Sequence, residues 1–472
     1  MVGAFWQRGA ADLSAAYRSG EADPRAVVSE LADRIDALNP VLNAYVALAP
    51  DLKEQAETSS RRYRENAPLS PLDGVPIAVK DNLHVAGMPT AWGGATFSDV
   101  ARADELPVAR LRAAGAILVG KTNTPEFAVE GYTANARFGV TRNPWDPALT
   151  PGGSSGGTVS AVAAGLAVLG IGTDGGGSTR RPAGHTGLFG LKPTIGRIAR
   201  AGGLPQVLMD FEVIGPFARS IDDLRLLYSA LAGPDRRDPA SRGIPDFTAP
   251  DSPLRILSVA RLGSHPCEPA IISATRDIAQ RFSSAGHHVE EADLPLDLGE
   301  IDAFWGSFAQ IGLAHLKATV PAMARNAGAR YMEMAEMGAG LGVASLFGAM
   351  AAVQRLRAAT SCLFAEWDVI LMPSAAAQPW PAEQSHPLEI DGQPVGPRGH
   401  AIYTGWVNAA GHPALAVPAG CDEAGLPIGC QLIGDLGSED FLMDLASALA
   451  AGAPGWQWPE LAQPSARRLQ AE

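Results

Sequence analysis

At 472 residues, 46% hydrophobic and 18% charged, the chain is long and apolar enough to bury a large core. Its formal net charge of −13, with no Lys/Arg-rich block, argues against a dedicated nucleic-acid surface and against attraction to an anionic membrane. The start of the chain has no secretory apolar region, the strongly apolar run 161–172 is too short for a bilayer, and Cys267, Cys362, Cys421 and Cys430 form no CxxC, so free thiols and a cytoplasmic location are expected.

In chain order, residues 23–38 read as a helix capped by Asp23 with Pro24 in its first turn, its apolar face formed by Val27, Val28, Leu31, Ile35 and Leu38. Asn39-Pro40 is expected to end it. Residues 51–66 read as a solvated helix, and Val75–Val79 as a strand ending on Lys80. A helix over 105–115 and a strand over 116–119 lead to Gly120-Lys121-Thr122-Asn123. Both lysines thus fall where a strand gives way to a loop, the place where open α/β sheets bind ligands. Three prolines make 143–152 irregular, and Thr158–Leu169 reads as a buried small-residue helix.

After Ser178 the chain is expected to stay irregular as far as Leu191-Lys192-Pro193-Thr194. A helix over 221–232 follows, then strands at 255–260 and 288–294 around a helix at 269–284. Residues 301–366 are mostly helical, 369–372, 414–417 and 428–433 are strands, and 438–451 is a late helix. The alternation indicates an α/β fold, a mixed central β-sheet covered by helices on both faces. The expectation is a single domain over 1–472, with a variable, mostly helical substrate-side region at about 300–400. The Pro-rich stretches 235–254 and 376–399 read as surface or lid segments.

The chemistry concentrates in one glycine-rich stretch, where Ser154 and Ser178 stand 24 positions apart. Only five of the 37 basic residues are lysines (Lys53, Lys80, Lys121, Lys192 and Lys317), so a retained lysine can mark a need for an amine, which arginine cannot supply as a base. Two hydroxyls and an amine suffice to make, activate and reset a nucleophile. Two decoys compete. Gly170-Ile-Gly172-Thr-Asp-Gly175 matches GxGxxG but follows an expected helix rather than a strand. Gly152-Gly-Ser154-Ser-Gly156 matches the GxSxG elbow, which needs a strand before the serine and a histidine partner; His84, His185 and His412 lie near suitable loops. No SxxK of the penicillin-binding type and no HExxH is present.

Gly153-Ser154-Ser155-Gly156-Gly157, Gly172-Thr173-Asp174-Gly-Gly-Gly-Ser178 and Gly190-Leu191-Lys192-Pro193-Thr194 resemble the amidase signature family. So do Val79-Lys80-Asp81-Asn82, the stretch 120–127, Asn143-Pro144-Trp145, the stretch 215–219, and the tail segments 408–413 and 425–429, in order along the chain. The resemblance implies a Ser–cis-Ser–Lys triad with Ser178 as nucleophile, Ser154 as bridging serine beside a cis peptide bond, and Lys80 as base. It implies an oxyanion hole from the N–H groups of Gly175, Gly176, Gly177 and Ser178. Ser155 would be a supporting residue; from the residues themselves, Asp174 is expected to orient the loop with Arg180 as its partner, and Lys121 and Lys192 are read as structural. Gly175 replaces the usual Thr or Ile, and Arg181 stands where an aliphatic residue is usual. The substrate pocket is expected from 126–132, 301–350 and 403–406, with Phe127, Ala128, Tyr132, Phe304, Trp305 and Tyr403 as candidates.

The implied activity is hydrolysis of a small-molecule amide, carbamate or ester, without a metal or other cofactor, by a protein that binds neither nucleic acid nor membrane and for which a homodimer is one expected assembly. The alternatives are an amidotransferase subunit that releases ammonia for a partner, an elbow-type hydrolase with Ser154 as nucleophile, and a catalytically silent binding protein.

Overall fold

The computed structural model describes residues 4–452 and 455–463. Eleven strands form one mixed sheet. In chain order they are β1 (Tyr45–Leu48), β2 (Pro76–Lys80), β3 (Ile117–Thr122), β4 (Leu169–Asp174), β5 (Phe189–Lys192), β6 (Val213–Ala218), β7 (Arg255–Ser258), β8 (His288–Glu291), β9 (Val369–Pro373), β10 (Ala414–Cys421) and β11 (Pro427–Ile433). Across the sheet the order is β1-β3-β2-β4-β6-β5-β10-β11-β9-β7-β8. Strand β2 runs parallel to both β3 and β4, whereas β4, β6, β5, β10 and β11 pair antiparallel in succession. Helices surround this sheet, as expected for the α/β class.

The centre of the sheet is dry. All five residues of β2 and all six of β4 are buried, which suits the near-continuous apolar runs of strands covered on both faces. Val79 lies opposite Ile171 on one side and Lys121 on the other, so the register carries Lys80 to the same end of the sheet as Thr173 and Asp174.

Several expected boundaries move, for local reasons. The first capped helix is Pro24–Leu42: Asp23 Oδ1 accepts from Arg25 N–H at 2.8 Å, but Pro40 lies inside the helix, which ends at Asn43 in the left-handed region. The small-residue helix starts earlier, at Gly156, and stops at Ala163; Gly165 takes φ of +69° and turns the chain into β4. The GxGxxG match therefore sits on a buried strand. A Cβ at Gly170 would meet Thr158 Cγ2 at 2.5 Å, and one at Gly172 would meet Ser155 Oγ at 2.6 Å. These glycines let the helix 156–163 lie against the strand, a packing role that nucleotide binding does not require. The stretch after Ser178, expected to be irregular, forms the helix Arg180–Thr186 and strand β5.

The region 299–363 comprises the helices Gly299–Thr319, Met323–Asn326, Ala329–Ala339 and Val343–Leu363. Among the described residues no single helix is long and apolar enough to cross a membrane. All four cysteines are free, Cys267 and Cys430 buried and Cys362 and Cys421 exposed.

Candidate active site

Lys80 ends β2 with its side chain fully buried. Its Nζ donates to Ser154 Oγ at 2.7 Å and to Thr173 Oγ1 at 3.0 Å. Asn82 Nδ2 also donates to Thr173 Oγ1, at 2.9 Å, which holds that hydroxyl in place. Burial pushes the Lys80 amine down to about 7, although Glu212 and Asp174 favour its charged form. The Gly153–Ser154 peptide is cis. Ser155 Oγ donates to the Thr173 carbonyl at 3.3 Å and ties the serine loop to the end of β4.

Asp174 organises the second loop. Its carboxylate accepts from Gly177 N–H at 2.6 Å, Thr179 N–H at 3.1 Å, Arg180 Nε at 3.0 Å and Asn408 Nδ2 at 2.9 Å. Burial alone would raise this carboxyl; the Arg180 guanidinium outweighs it and holds the group below the usual carboxylate range. Arg180, itself fully buried, donates onward to Gln431 Oε1 at 2.9 Å, to the Thr404 carbonyl at 3.1 Å and to Asn408 Oδ1. A buried charge pair is tolerated in such a place because its remaining donors and acceptors are satisfied.

This network changes the expected set of oxyanion donors. The Gly177 N–H is committed to Asp174, so it does not point freely at a reacting atom. The N–H groups of Gly175, Gly176 and Ser178 make no hydrogen bond with a described residue. Gly177 serves geometry instead: its φ is +108°, and a Cβ there would collide with Thr404 Oγ1. At Gly175 a Cβ would meet Leu208 Cδ1 at 2.5 Å, so the missing side chain is matched by a leucine that fills the space.

Ser178 is 7% exposed and lines a cavity of about 280 Å³, with Gly175 and Gly176 beside it. Its hydroxyl has no hydrogen-bond partner among the described residues. Of the expected pocket residues, Ala128 and Trp305 line this cavity. Phe127 packs edge-on against Trp92 and Tyr331, and Tyr403 is fully buried with its hydroxyl donating to the Ala260 carbonyl at 3.4 Å. Phe304 borders a separate small depression with Phe308 and Leu346, and the Tyr132 backbone packs against Gly153. The four are therefore not on the cavity wall.

Lys121 forms an ion pair with Asp81 at 3.1 Å and donates to Thr90 Oγ1 at 3.0 Å. Lys192 donates to the Pro193 carbonyl at 2.9 Å. Burial pushes Lys192 down to about 7 as well, so a depressed amine alone does not mark a base; contact with the hydroxyl of Ser154 distinguishes Lys80. No histidine among the described residues hydrogen-bonds to Ser154: His84 pairs with Thr90, His185 Nε2 with the Ala377 carbonyl, and His412 with the Ala410 carbonyl and Asp435. The residues before Ser154 form no strand. The setting of a nucleophile elbow is absent there.

Sequence reasoning did not single out Glu130, Arg330, Arg398 or His400, all of which line the cavity. Arg398 and His400 lie at the end of a Pro-rich stretch with no chemical signature, and only the fold brings them to the cavity that Ser178 lines.

Comparison with known proteins places this site in context. The family model named Amidase matches residues 26–443. The chain is 34% identical to a subunit of the glutamyl-tRNA(Gln) amidotransferase of Thermus thermophilus, covering 93% of this chain and 95% of that one. It is 33% identical to the indoleacetamide hydrolase of Bradyrhizobium diazoefficiens, covering 95% and 87%. Among solved structures, a bacterial aryl acylamidase superposes with a TM-score of 0.86 at 27% identity, covering 96% of this chain and 98% of that one. The chain belongs to the amidase signature family and is a hydrolase of carbon–nitrogen bonds.

Proposed function

We propose that the protein is a free-standing amidase that cleaves a small-molecule amide through an acyl-enzyme on Ser178. The observation that carries this reading is the fully buried Lys80 amine at 2.7 Å from Ser154 Oγ, in a chain whose Ser178 lines a cavity with Gly175 and Gly176. A lysine near its ordinary pKa of ~10.4 is a cation and no base. With its pKa pushed to about 7, Lys80 is neutral in a large fraction of molecules at physiological pH.

The neutral amine accepts the Ser154 proton, and Ser154 accepts that of Ser178 as Ser178 Oγ attacks the amide carbon. The carbonyl π electrons move to oxygen, and the oxyanion is met by the N–H groups of Gly175, Gly176 and Ser178. One such donor is worth roughly 2.7–4 kcal/mol in acyl transfer. Collapse breaks the C–N bond, and Ser154 returns a proton to the departing amine, resupplied from Lys80. Water then attacks the ester carbon, giving its proton back along the same relay, and Ser178 leaves as a hydroxyl. Asp174, Arg180 and Ser155 hold the two loops and do not touch substrate.

The test is turnover by the purified chain on aryl amides, aliphatic amides, carbamates, esters and glutamine, with fluorophosphonate labelling of the nucleophile. Labelling lost in Ser178→Ala and turnover lost in Lys80→Ala are expected. Labelling that persists in Ser178→Ala and vanishes in Ser154→Ala would reassign the nucleophile.

The likeness to an amidotransferase component supports a second reading, in which the same relay frees ammonia from glutamine for a partner. That reading requires a stable hetero-oligomer and little turnover of unrelated amides by the chain alone.

A further inference from the structure

The helix Gly299–Thr319 carries an interior glycine, Gly306, that packing does not explain. Glycine is, proline aside, the residue least suited to a helix interior, because it has the most backbone freedom to lose. Where packing requires one, the neighbours show it. A Cβ at Gly312 would collide with the Val207 carbonyl, and one at Gly338, in the helix Ala329–Ala339, with the Gln310 carbonyl. Gly306 is different. Beyond its chain neighbours and its own helix backbone, no described residue lies within 4 Å of where its Cβ would stand, and it borders the cavity that Ser178 lines. The helix forgoes a side chain at a position on the cavity wall where the protein itself leaves room for one.

This position is close to the chemistry. Trp305, the residue before it, lies against the loop that carries the nucleophile: a Cβ at Gly176 would meet its Cζ2 at 3.2 Å. Phe211 stacks on that indole with ring centres 5.7 Å apart, and Phe308 packs edge-on against it, so the indole is held in place. Charged groups of the cavity are engaged by the protein: Arg330 pairs with Glu130 at 3.0 Å, and Arg181 braces the nucleophile's loop by donating to the Gly176 carbonyl and to Thr404 Oγ1 at 2.8 Å. Much of the rest of the lining is apolar, with Ala128, Val129, Leu208, Ala309 and Met334 beside Trp305. At about 280 Å³ the cavity exceeds the ~150 Å³ that accommodates a benzene ring in a protein interior, which leaves space for an amide as well.

Resting on the acyl-serine reading above, we propose that Gly306 determines specificity: its missing side chain leaves room, beside the Trp305 indole, for an apolar group of about benzene size on the amide substrate. A side chain at this position takes up that room, and crowding a fitted apolar site is costly. Amides too small to reach Gly306 are indifferent to it.

Two fluorophosphonates, one bearing an ethyl and one a phenylpropyl group on phosphorus, report access to Ser178 directly on the purified full chain. In Gly306→Leu the labelling rate of the phenylpropyl probe should fall about tenfold or more. That of the ethyl probe should stay within about threefold of the wild type. Propanamide and phenylbutanamide, the matching amides, should divide in the same way in kcat/KM. Gly306→Ala should change the ratio of the two labelling rates in the same direction by less, and it decides alone if leucine prevents folding. Gly348→Ala, in the helix Val343–Leu363 and off the cavity lining, is the control, since a Cβ there also meets nothing within 4 Å. The thermal midpoint should rise in both alanine variants, because alanine favours a helix, while only Gly306→Ala alters the ratio. A merely structural role for Gly306 would leave that ratio unmoved. An unchanged ratio at position 306, or equal slowing of both probes, would overturn the proposal while leaving Ser178 chemistry intact. Labelling that survives Ser178→Ala would instead defeat the acyl-serine reading, whatever the ratio.

Discussion

Lys80, Thr173, Asp174 and Arg180 form a buried floor to the active site, off the cavity lining itself: they are at most 1% exposed, Lys80 hydrogen-bonded to Thr173 and Arg180 to Asp174. On the outer wall, Arg330 keeps 49% of its side chain exposed in its pair with Glu130, and Arg398 has no hydrogen bond to a described residue. The floor comes from adjacent strands β2 and β4 and the loops beside them, all within residues 76–180. The wall is drawn from distant stretches, 128–131, 305–310, 330–334 and 397–401. A floor held by mutual burial leaves little freedom for substitution. A wall of independent side chains can be retuned to another substrate without disturbing what lies beneath, provided the retuned residue does not also brace the floor, as Arg181 does.

The largest break in this comparison is chemical. Ser178→Ala and Lys80→Ala should each lower kcat by ~10³-fold or more, as removal of one member of a cooperating set does elsewhere. Steady-state rates on any accepted amide check this, and a loss below about tenfold in Lys80→Ala would remove that residue from the floor's chemistry.

Next comes stability. Asp174→Ala strands the buried Arg180 charge and should cost ~3–5 kcal/mol, read from the denaturant midpoint. An unchanged midpoint would mean that the floor is not held by this pair.

The pH dependence sharpens the same contrast. The proposed base must be neutral, so kcat/KM should rise with pH to a midpoint near the Lys80 value of about 7, falling tenfold per unit well below it. The sign for folding follows from the same shift. The native amine titrates near 7 and an unfolded one near ~10.4, so the unfolded chain binds more protons between those values and Lys80 contributes stability that increases with pH there. The melting temperature of Lys80→Met relative to the wild type should therefore be highest near pH 6 and decline toward pH 10. A constant difference would refute the depressed value.

The smallest effect belongs to the wall. Arg330→Ala removes a half-exposed ion pair and should change stability by no more than ~1 kcal/mol. A larger thermal shift would show that the wall shares the floor's rigidity.

How much of this could be read from residue order varies with the range of the interactions. Lys80 at a strand end, two serines flanked by glycines, and the Asp174–Arg180 pair are local features, and they were legible. The helix expected over Thr158–Leu169 was not, because small apolar residues suit a buried helix and a buried strand equally; the left-handed turn at Gly165 decides between them. Of the aromatic candidates Trp305 lines the cavity, whereas others were taken up elsewhere for a related reason. Tyr403 and Phe127 are as apolar as a pocket would want, and the core used them. Arg398 and His400 gave no signal, since their meaning depends on a cavity assembled across the chain. Gly177 looked like an oxyanion donor until Asp174 claimed its N–H.

Arg180 reaches forward to Thr404, Asn408 and Gln431, so the loop bearing Ser178 is braced by residues more than two hundred positions further on. A growing polypeptide would carry its reactive hydroxyl long before the brace exists. Hydrolytic competence should then arrive late in synthesis, and a product cut short before position 431 should be inert, which makes enzymatic turnover a sensitive report that the whole molecule has been finished and folded.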